Sequence, residues 1–182
     1  MRIAHAADAQ PPEHEPRFTC DGFVTNEPGV ALAVFMADCL PALLHDPAAG
    51  VIGAVHCGWR GSVADILGAA VAQMCALGAH PEDIRAAIGP GIGACCFEVG
   101  PEVVAAAEAL LHEPLGTLVR PTAGDRALLD LKRVNALRLT QLGVPAEQIA
   151  VSDACTMCRP DVFWSHRATD GRRGVQAAVI TL

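Results

Sequence analysis

The stretch VIGAVHCGWRGSVADILGAAVAQMCALG, residues 51–78, changes its hydrophobic period part-way along. Its first five residues are a short apolar run after a turn at 47–50, which predicts a buried strand that ends at His56. From Val63 the apolar residues recur every three or four positions, which predicts a helix that stops at Gly78. A strand therefore passes directly into a helix through a short glycine-containing segment.

Further strands and helices flank this stretch without strict alternation. The same patterns predict strands at 30–36, 85–88, 149–153 and 174–181, and helices at 101–111 and 128–142. This mixture predicts an α+β fold rather than a regularly alternating α/β fold. With 182 residues, the chain is long enough to bury a core, and we expect a single domain over 1–182.

Composition argues against several classes of protein. Hydrophobic residues make up 52% of the chain, yet no apolar run approaches the ~20 residues of a membrane helix. The first residues do not follow the plan of a signal peptide, so we expect a cytoplasmic protein with no membrane partner. The net charge of −7 and the lack of a basic stripe argue against a nucleic-acid partner.

Eight cysteines are expected to be reduced thiols in such a compartment. Cys155 and Cys158 form a single C-x-x-C pair, and a zinc ribbon needs two. Adjacent Cys95 and Cys96 are expected to point apart, which argues against a shared metal. No helix pattern follows Cys158, so a thioredoxin-like redox site is not expected.

Cys39 and His56 follow two predicted strands at their polar ends. Cysteine and histidine are ligands that zinc prefers, and a catalytic zinc takes three protein ligands with one open position. If the two strands are neighbours, Cys39 and His56 converge at one end of the sheet. The alternative is that both are ordinary core residues.

Three segments offer arginines or flexible backbone near this end. Arg60 precedes a helix start, where free N–H groups and a guanidinium favour an anion; alternatively, the segment is a tight turn with Trp59 as a core residue. The glycine-rich loop at 89–100 either shapes a pocket or simply connects two elements. Arg167 and Arg172 either hold phosphate or a substrate oxygen, or lie on a surface hairpin.

Taken in order, the segments ADCLP, HCGWRG, IGPGIG…FEVG and CTMC…FWSHR…GR resemble the YfiH family, also called laccase-domain or polyphenol oxidase-like proteins. The similarity runs from about Asp21 to the C-terminus. It implies a layered α+β fold with a mixed β core flanked by helices, similar to that of deamidating bacterial toxins. It also implies a zinc ion bound by one cysteine and two histidines, with Cys39 and His56 as two of the ligands.

The third family ligand lies in a QVHG-like segment, which does not occur in this sequence. We therefore expect a member that lacks the usual N-terminal segment, with His5 as the candidate to replace the missing ligand. Cys57 stands where the family usually has alanine and offers a further thiolate. Zinc is expected rather than copper, because one Cys/His₂ site fits phenol oxidation poorly.

The resemblance implies phosphorolysis of adenosine, inosine, guanosine and methylthioadenosine, together with adenosine deamination. The substrates would be purine nucleosides and inorganic phosphate, handled by a monomer or small homo-oligomer. The expected phosphate and substrate contacts are Arg60, Arg167, Arg172 and Cys155, and Asp38 is the expected proton carrier or partner of the metal ligands. Two alternatives remain open: a metal-free cysteine hydrolase that uses Cys39 and His56, and an inactive nucleoside-binding relative.

Overall fold

The computed structural model describes residues 3–5 and 20–182 of the chain. In these residues the strands are β1 (Ile3–His5), β2 (Gly22–Thr25), β3 (Ala31–Met36), β4 (Leu40–Asp46), β5 (Val51–Cys57), β6 (Arg85–Ile88), β7 (Glu98–Val99), β8 (Val119–Pro121), β9 (Ala127–Leu129), β10 (Ile149–Val151) and β11 (Gln176–Thr181). The helices are α1 (Trp59–Val63), α2 (Ile66–Ala76), α3 (Pro101–Leu111) and α4 (Leu131–Gln141). None of these helices has the length and apolar character needed to cross a bilayer.

A six-stranded mixed sheet forms the centre of the fold, in the order β1-β2-β5-β4-β6-β10. The outer pairs β1/β2 and β6/β10 are parallel, and the inner pairs are antiparallel. A two-stranded sheet of β3 and β11 and a three-stranded sheet of β7, β9 and β8 accompany it. The prediction of an α+β fold with a mixed β core is confirmed.

Strand β5 is covered on both faces, which explains its almost continuous apolar sequence. Alternate residues Val51 and Val55 join the main core with α2, whereas Ile52 and Ala54 face a second apolar cluster with β3. The molecule therefore has helices on one face of the central sheet and the β3/β11 pair on the other. His56 is the only residue of β5 that is not fully buried.

Strand β4 is the main element that the sequence patterns did not predict. Pro41 lies at its second position, and a proline normally argues against a central strand because it cannot donate a ladder hydrogen bond. Here the proline is close to the strand end, and its carbonyl oxygen accepts a hydrogen bond from Gly89 N at 2.9 Å. The predicted helix from Val63 is also divided, because Asp65 separates α1 from α2.

Asp65 interrupts the helix by adopting a left-handed backbone conformation, with φ of 62°. Its carboxylate caps α2 by accepting a hydrogen bond from Gly68 N, and it binds the Arg138 guanidinium of α4 through two bonds of 2.8 and 2.6 Å. The hydrogen bonds from Arg138 lower the pKa of Asp65. One side chain thus starts α2 and ties it to α4.

We expect the Asp65→Ala substitution to lower the free energy of unfolding by about 1–2 kcal/mol, because it removes a helix cap and a partly exposed ion pair. Asp65→Asn keeps the cap and should lose about half as much. Urea unfolding of both variants measures the difference. Since the folded-state pKa is depressed, the advantage of the wild type over Asp65→Asn should shrink as the pH falls below about 4. Equal stabilities for the two variants would show that the cap contributes nothing.

Candidate functional site

A cavity of about 380 Å³ opens at the edge of the central sheet where β4 begins and β5 ends. Its walls come from the segment before β4, the start of α1, the loop after β6, the start of α4 and the segment before β11. The lining residues are Ala37, Asp38, Cys39, His56, Trp59, Ile92, Phe97, Leu131, His166, Arg167 and Arg173.

Cys39 and His56 meet in this cavity because β4 and β5 are antiparallel. The register pairs Pro41 with His56, so Cys39 and His56 lie at the same edge of the sheet. A Cβ atom added to Gly58 would lie 3.2 Å from Cys39 Sγ and 3.4 Å from His56 Cε1, so the sulfur and the ring flank the same glycine. The predicted convergence is therefore present, but it depends on β4 and not on β3, which belongs to another sheet.

Asp21 faces the other side of the His56 ring. Its Oδ1 lies 3.8 Å from His56 Nδ1, and its carbonyl oxygen accepts a 2.7 Å hydrogen bond from His56 N. A carboxylate beside one ring nitrogen orients a histidine whose other nitrogen binds a metal. Sequence reasoning did not select Asp21, because the pairing of β2 with β5 that brings it there leaves no local pattern.

The environment of Cys39 favours the neutral thiol in the absence of a cation. Burial is the largest cause that raises the pKa of Cys39, and the nearby Asp38 carboxylate adds to it, while Arg173 acts in the opposite direction. A bound cation reverses this balance, because it stabilises the thiolate directly. Without a bound cation, burial therefore works against a free thiolate at Cys39.

Cys57 does not contribute to the cavity, which corrects the expectation that it offers a second thiolate there. Neighbouring residues of a strand point to opposite faces, and Cys57 lies in the main core next to α2 with 1% of its surface exposed. Burial also raises the pKa of its thiol.

The backbone register places His5 away from the Cys39–His56 pair. His5 pairs with Val24 of β2, and Val24 pairs with Gly53, three positions before His56 on β5. This corresponds to roughly 10 Å along the strands and roughly 10 Å across two strand spacings. The register therefore does not bring His5 to the predicted metal site, whereas His166 lies in the cavity wall with Cys39 and His56.

Asp38 is buried in the cavity wall with its backbone in a positive-φ conformation of 80°. Its Oδ1 accepts a hydrogen bond from Thr156 Oγ1 at 2.6 Å. Its Oδ2 accepts bonds from Ser165 Oγ at 3.1 Å and Arg167 N at 2.7 Å. Because both oxygens already have donors, the geometry favours a role in holding the wall in place over the predicted proton transfer.

Two arginines line the cavity, and only one of them, Arg167, belongs to the three that the sequence predicted. The Arg167 guanidinium lies 6.0 Å from the Phe97 ring centre. The second arginine in the wall is Arg173, whereas the predicted Arg172 does not line the cavity. Arg60 is exposed and stacks on the Trp59 ring at 4.3 Å, outside the lining residues.

Cys155 is also absent from the cavity wall, contrary to its predicted role in substrate binding. It is buried behind the wall, where its Sγ accepts a hydrogen bond from Gly93 N at 3.2 Å. The backbone of Thr156 donates to Gly91 O at 3.1 Å, so this segment supports the loop after β6.

The family model described as multi-copper polyphenol oxidoreductase laccase matches residues 1–182. The chain belongs to this family. It is 41% identical over 162 residues to purine nucleoside phosphorylase YlmD of Geobacillus stearothermophilus, and the match covers 88% of this chain and 59% of the relative. It is also 41% identical to adenosine deaminase RL5 from an unknown prokaryotic organism, over 81% of this chain and 56% of that protein.

A solved structure of this laccase-like family has the same fold. The crystal structure of the Bacillus licheniformis hypothetical protein YfiH matches with a TM-score of 0.85 and 36% identity, over 89% of this chain and 61% of that chain. The chain thus spans about three fifths of the length of these relatives. The comparison confirms the predicted family and fold.

We expect Asp38→Asn to lower the free energy of unfolding by about 2–3 kcal/mol, because an amide places N–H groups where three donors converge on a buried carboxylate. Urea unfolding monitors the loss. Asp125→Asn, at an exposed position, is the matched control and should stay within about 0.5 kcal/mol of the wild type. If the two variants unfold alike, Asp38 does not hold the cavity wall together.

Proposed function

We propose that the cavity is the active site of a zinc-dependent purine nucleoside phosphorylase that also deaminates adenosine. The observation that carries the proposal is the meeting of Cys39 and His56 with Arg167 and Arg173 in one cavity wall. The names of the two curated relatives support the same pair of activities.

The cavity offers two ligands of the kinds that zinc prefers, out of the three protein ligands that a catalytic zinc takes. A thiol and an imidazole flank Gly58, and the Asp21 carboxylate lies on the far side of the imidazole. Zinc prefers these ligands, and a carboxylate behind the histidine is a common supporting group. When bound, zinc supplies Lewis-acid chemistry. Copper also binds thiolate and imidazole, as the family description implies, and elemental analysis distinguishes the two metals.

Arg167 and Arg173 supply positive charge for phosphate. Phosphorolysis requires a phosphate oxygen to bond to C1′ of the ribose while the purine leaves with the electrons of the glycosidic bond. Guanidinium groups hold the three remaining phosphate oxygens and offset their charge. Arg167 is fixed in place, since its backbone N–H bonds to Asp38 and its Nη1 donates to Glu98 O at 3.3 Å.

The apolar part of the wall suits a purine base. Trp59 and Phe97 offer aromatic faces, and Ile92 and Leu131 complete a surface that excludes water from the base. The cavity volume of about 380 Å³ falls in the range of small-molecule sites. The proposal therefore assigns the base to the aromatic side and the phosphate to the arginine side.

The proposed setting is the cytoplasm, because the eight cysteines, all within the described residues, form no disulfide with one another, which fits a reducing compartment. The proposed partners are purine nucleosides and inorganic phosphate, without nucleic acid or membrane.

We expect Cys39→Ala and His56→Ala each to remove about one zinc equivalent per chain and to lower adenosine turnover at least about a hundredfold, because Lewis-acid stabilisation is worth several kcal/mol. Elemental analysis gives the metal content. Chromatography of adenosine reactions separates adenine, which forms only with phosphate, from inosine. Cys75→Ser, at an exposed thiol on α2, is the control and should retain metal and turnover.

The proximity of Cys39 to His56 also fits a second function, a metal-free cysteine hydrolase. In that case alkylation of Cys39 abolishes turnover and chelators have no effect. The zinc proposal requires the opposite response to chelators, with activity restored by added zinc. Loss of activity on alkylation with full activity in the presence of a chelator would contradict it.

We expect Arg167→Ala and Arg173→Ala each to raise the KM for phosphate roughly tenfold or more, because a hydrogen bond to a charged group contributes about 1.5–3 kcal/mol. Arg60→Ala and Arg172→Ala should have smaller effects, since neither side chain lines the cavity. Steady-state kinetics with varied phosphate measures the four values, with the exposed Arg120→Ala as control. An increase confined to Arg60→Ala would support the sequence prediction and contradict the assignment to Arg167 and Arg173.

A further inference from the structure

Four cysteines converge where the loop after β6 meets the turn at 155–158. The Sγ atoms of Cys95, Cys96, Cys155 and Cys158 all lie within 4.8 Å of one another. Cys158 Sγ is 3.5 Å from Cys95 Sγ and 3.4 Å from Cys96 Sγ. This corrects the sequence-based expectation that the side chains of the adjacent pair point apart.

Turn geometry explains how adjacent cysteines reach the same point. Cys96 N and Phe97 N both donate to Gly93 O at 2.9 Å, so the backbone at 94–96 is coiled. Neighbouring side chains differ by about 100° in a helical turn, compared with about 180° in a strand, and both can therefore face one side. The Cys155–Cys158 segment is a second turn, where residues three apart share a side.

The sulfur positions match the geometry of a single tetrahedral ion. A zinc–sulfur distance of about 2.3 Å gives about 3.8 Å between the sulfurs of a regular tetrahedron. The observed separations of 3.4 and 3.5 Å, and the 4.8 Å limit on all pairs, bracket this value. Disulfides fit less well, because Cys158 is almost equidistant from Cys95 and Cys96 and no pair is singled out.

A backbone N–H group points at one sulfur of the cluster. Cys155 Sγ accepts a hydrogen bond from Gly93 N at 3.2 Å. Such a bond stabilises a thiolate, which is the form of cysteine that binds a metal ion.

Lys132 places a buried positive charge beside the turn that carries Cys155. It is 5% exposed, and its ammonium donates to the carbonyl oxygens of Ser152 and Ala154, at 2.8 and 2.7 Å. Desolvation lowers its pKa, and the charges of Cys155, Asp130 and Asp153 act in the opposite direction. A buried ammonium needs a counter-charge, and a tetrathiolate metal site carries a formal charge of −2.

We propose that Cys95, Cys96, Cys155 and Cys158 bind a structural zinc ion, separate from the metal at Cys39 and His56. Zinc takes the place of the thiol protons, which pass to solvent. Cys95 and Cys158 are exposed, so the ion enters from the surface. All four coordination positions are filled by protein sulfur, which is typical of a structural site and not of a catalytic one.

This zinc would fasten two segments that build the cavity. The loop after β6 carries the wall residues Ile92 and Phe97, and the turn at Cys155 carries Thr156, which bonds to Asp38. Gly93 allows a close approach at the junction, because an added Cβ would lie 3.1 Å from Cys155 Cβ and 3.3 Å from Cys95 Sγ.

The test uses the full chain carrying Cys39→Ala and His56→Ala, which empties the other proposed metal position. We expect about one zinc per chain in elemental analysis, and X-ray absorption should show a sulfur-only shell at about 2.3 Å. Adding Cys95→Ser and Cys158→Ser should remove that zinc, whereas adding Cys75→Ser should not. These readouts do not depend on enzymatic activity, so the two metal proposals fail or succeed separately.

Thiol reactivity of the unsubstituted chain, measured without oxygen, keeps the proposal testable if the multiple variants do not fold. Exposed Cys95 and Cys158 should react slowly with a thiol reagent until zinc is displaced, and the exposed Cys75 should react at once. Immediate reaction of all three, with no zinc released, would overturn the proposal. A mass lower by two hydrogens, showing a disulfide within the cluster, would overturn it as well.

Discussion

The buried carboxylate of Asp38 joins parts of the chain that are 118 to 129 residues apart in sequence. It accepts hydrogen bonds from Thr156, Ser165 and the Arg167 backbone, and its own carbonyl oxygen accepts from Ile92 N at 2.8 Å. Three segments are therefore held around one residue that immediately precedes the proposed zinc ligand Cys39. A charged group with several donors is difficult to replace, because any neutral substitute leaves buried donors without an acceptor. The cavity depends on this arrangement.

The sequence patterns predicted the helices and most of the longer strands, since these have clear periods and turn residues at their ends. The strand β4 was missed because Pro41 is atypical of a central strand. Because β4 was missing from the prediction, Cys39 was placed at the end of β3. The proximity of Cys39 to His56 was therefore attributed to a pairing of β3 with β5. The prediction that the two residues meet was nevertheless correct, because β4 returns the chain along the side of β5.

The cavity residues were harder to predict because they come together through pairing between distant segments. Asp21 reaches His56 through the register of β2 against β5, and Arg173 rather than Arg172 faces the cavity. Local sequence shows that a turn is rich in arginine but not which arginine points inward. The four-cysteine cluster was not predicted for a different reason: adjacent side chains point apart in extended backbone, whereas the chain forms a turn at Cys95 and Cys96.

The surroundings of Cys39 differ from those of the four-cysteine cluster, and the difference fits the two roles proposed for them. Cys39 is a single thiol in the wall of a cavity, where burial and Asp38 raise its pKa, and a metal ion held there would keep positions open to the cavity. In the cluster, backbone N–H groups lower the pKa of Cys155, and four sulfurs leave no position for a substrate. The first arrangement suits catalysis and the second suits structure. Since the turn at Cys155 carries Thr156, which bonds to Asp38, a zinc ion in the cluster would support the residue next to the proposed zinc ligand Cys39.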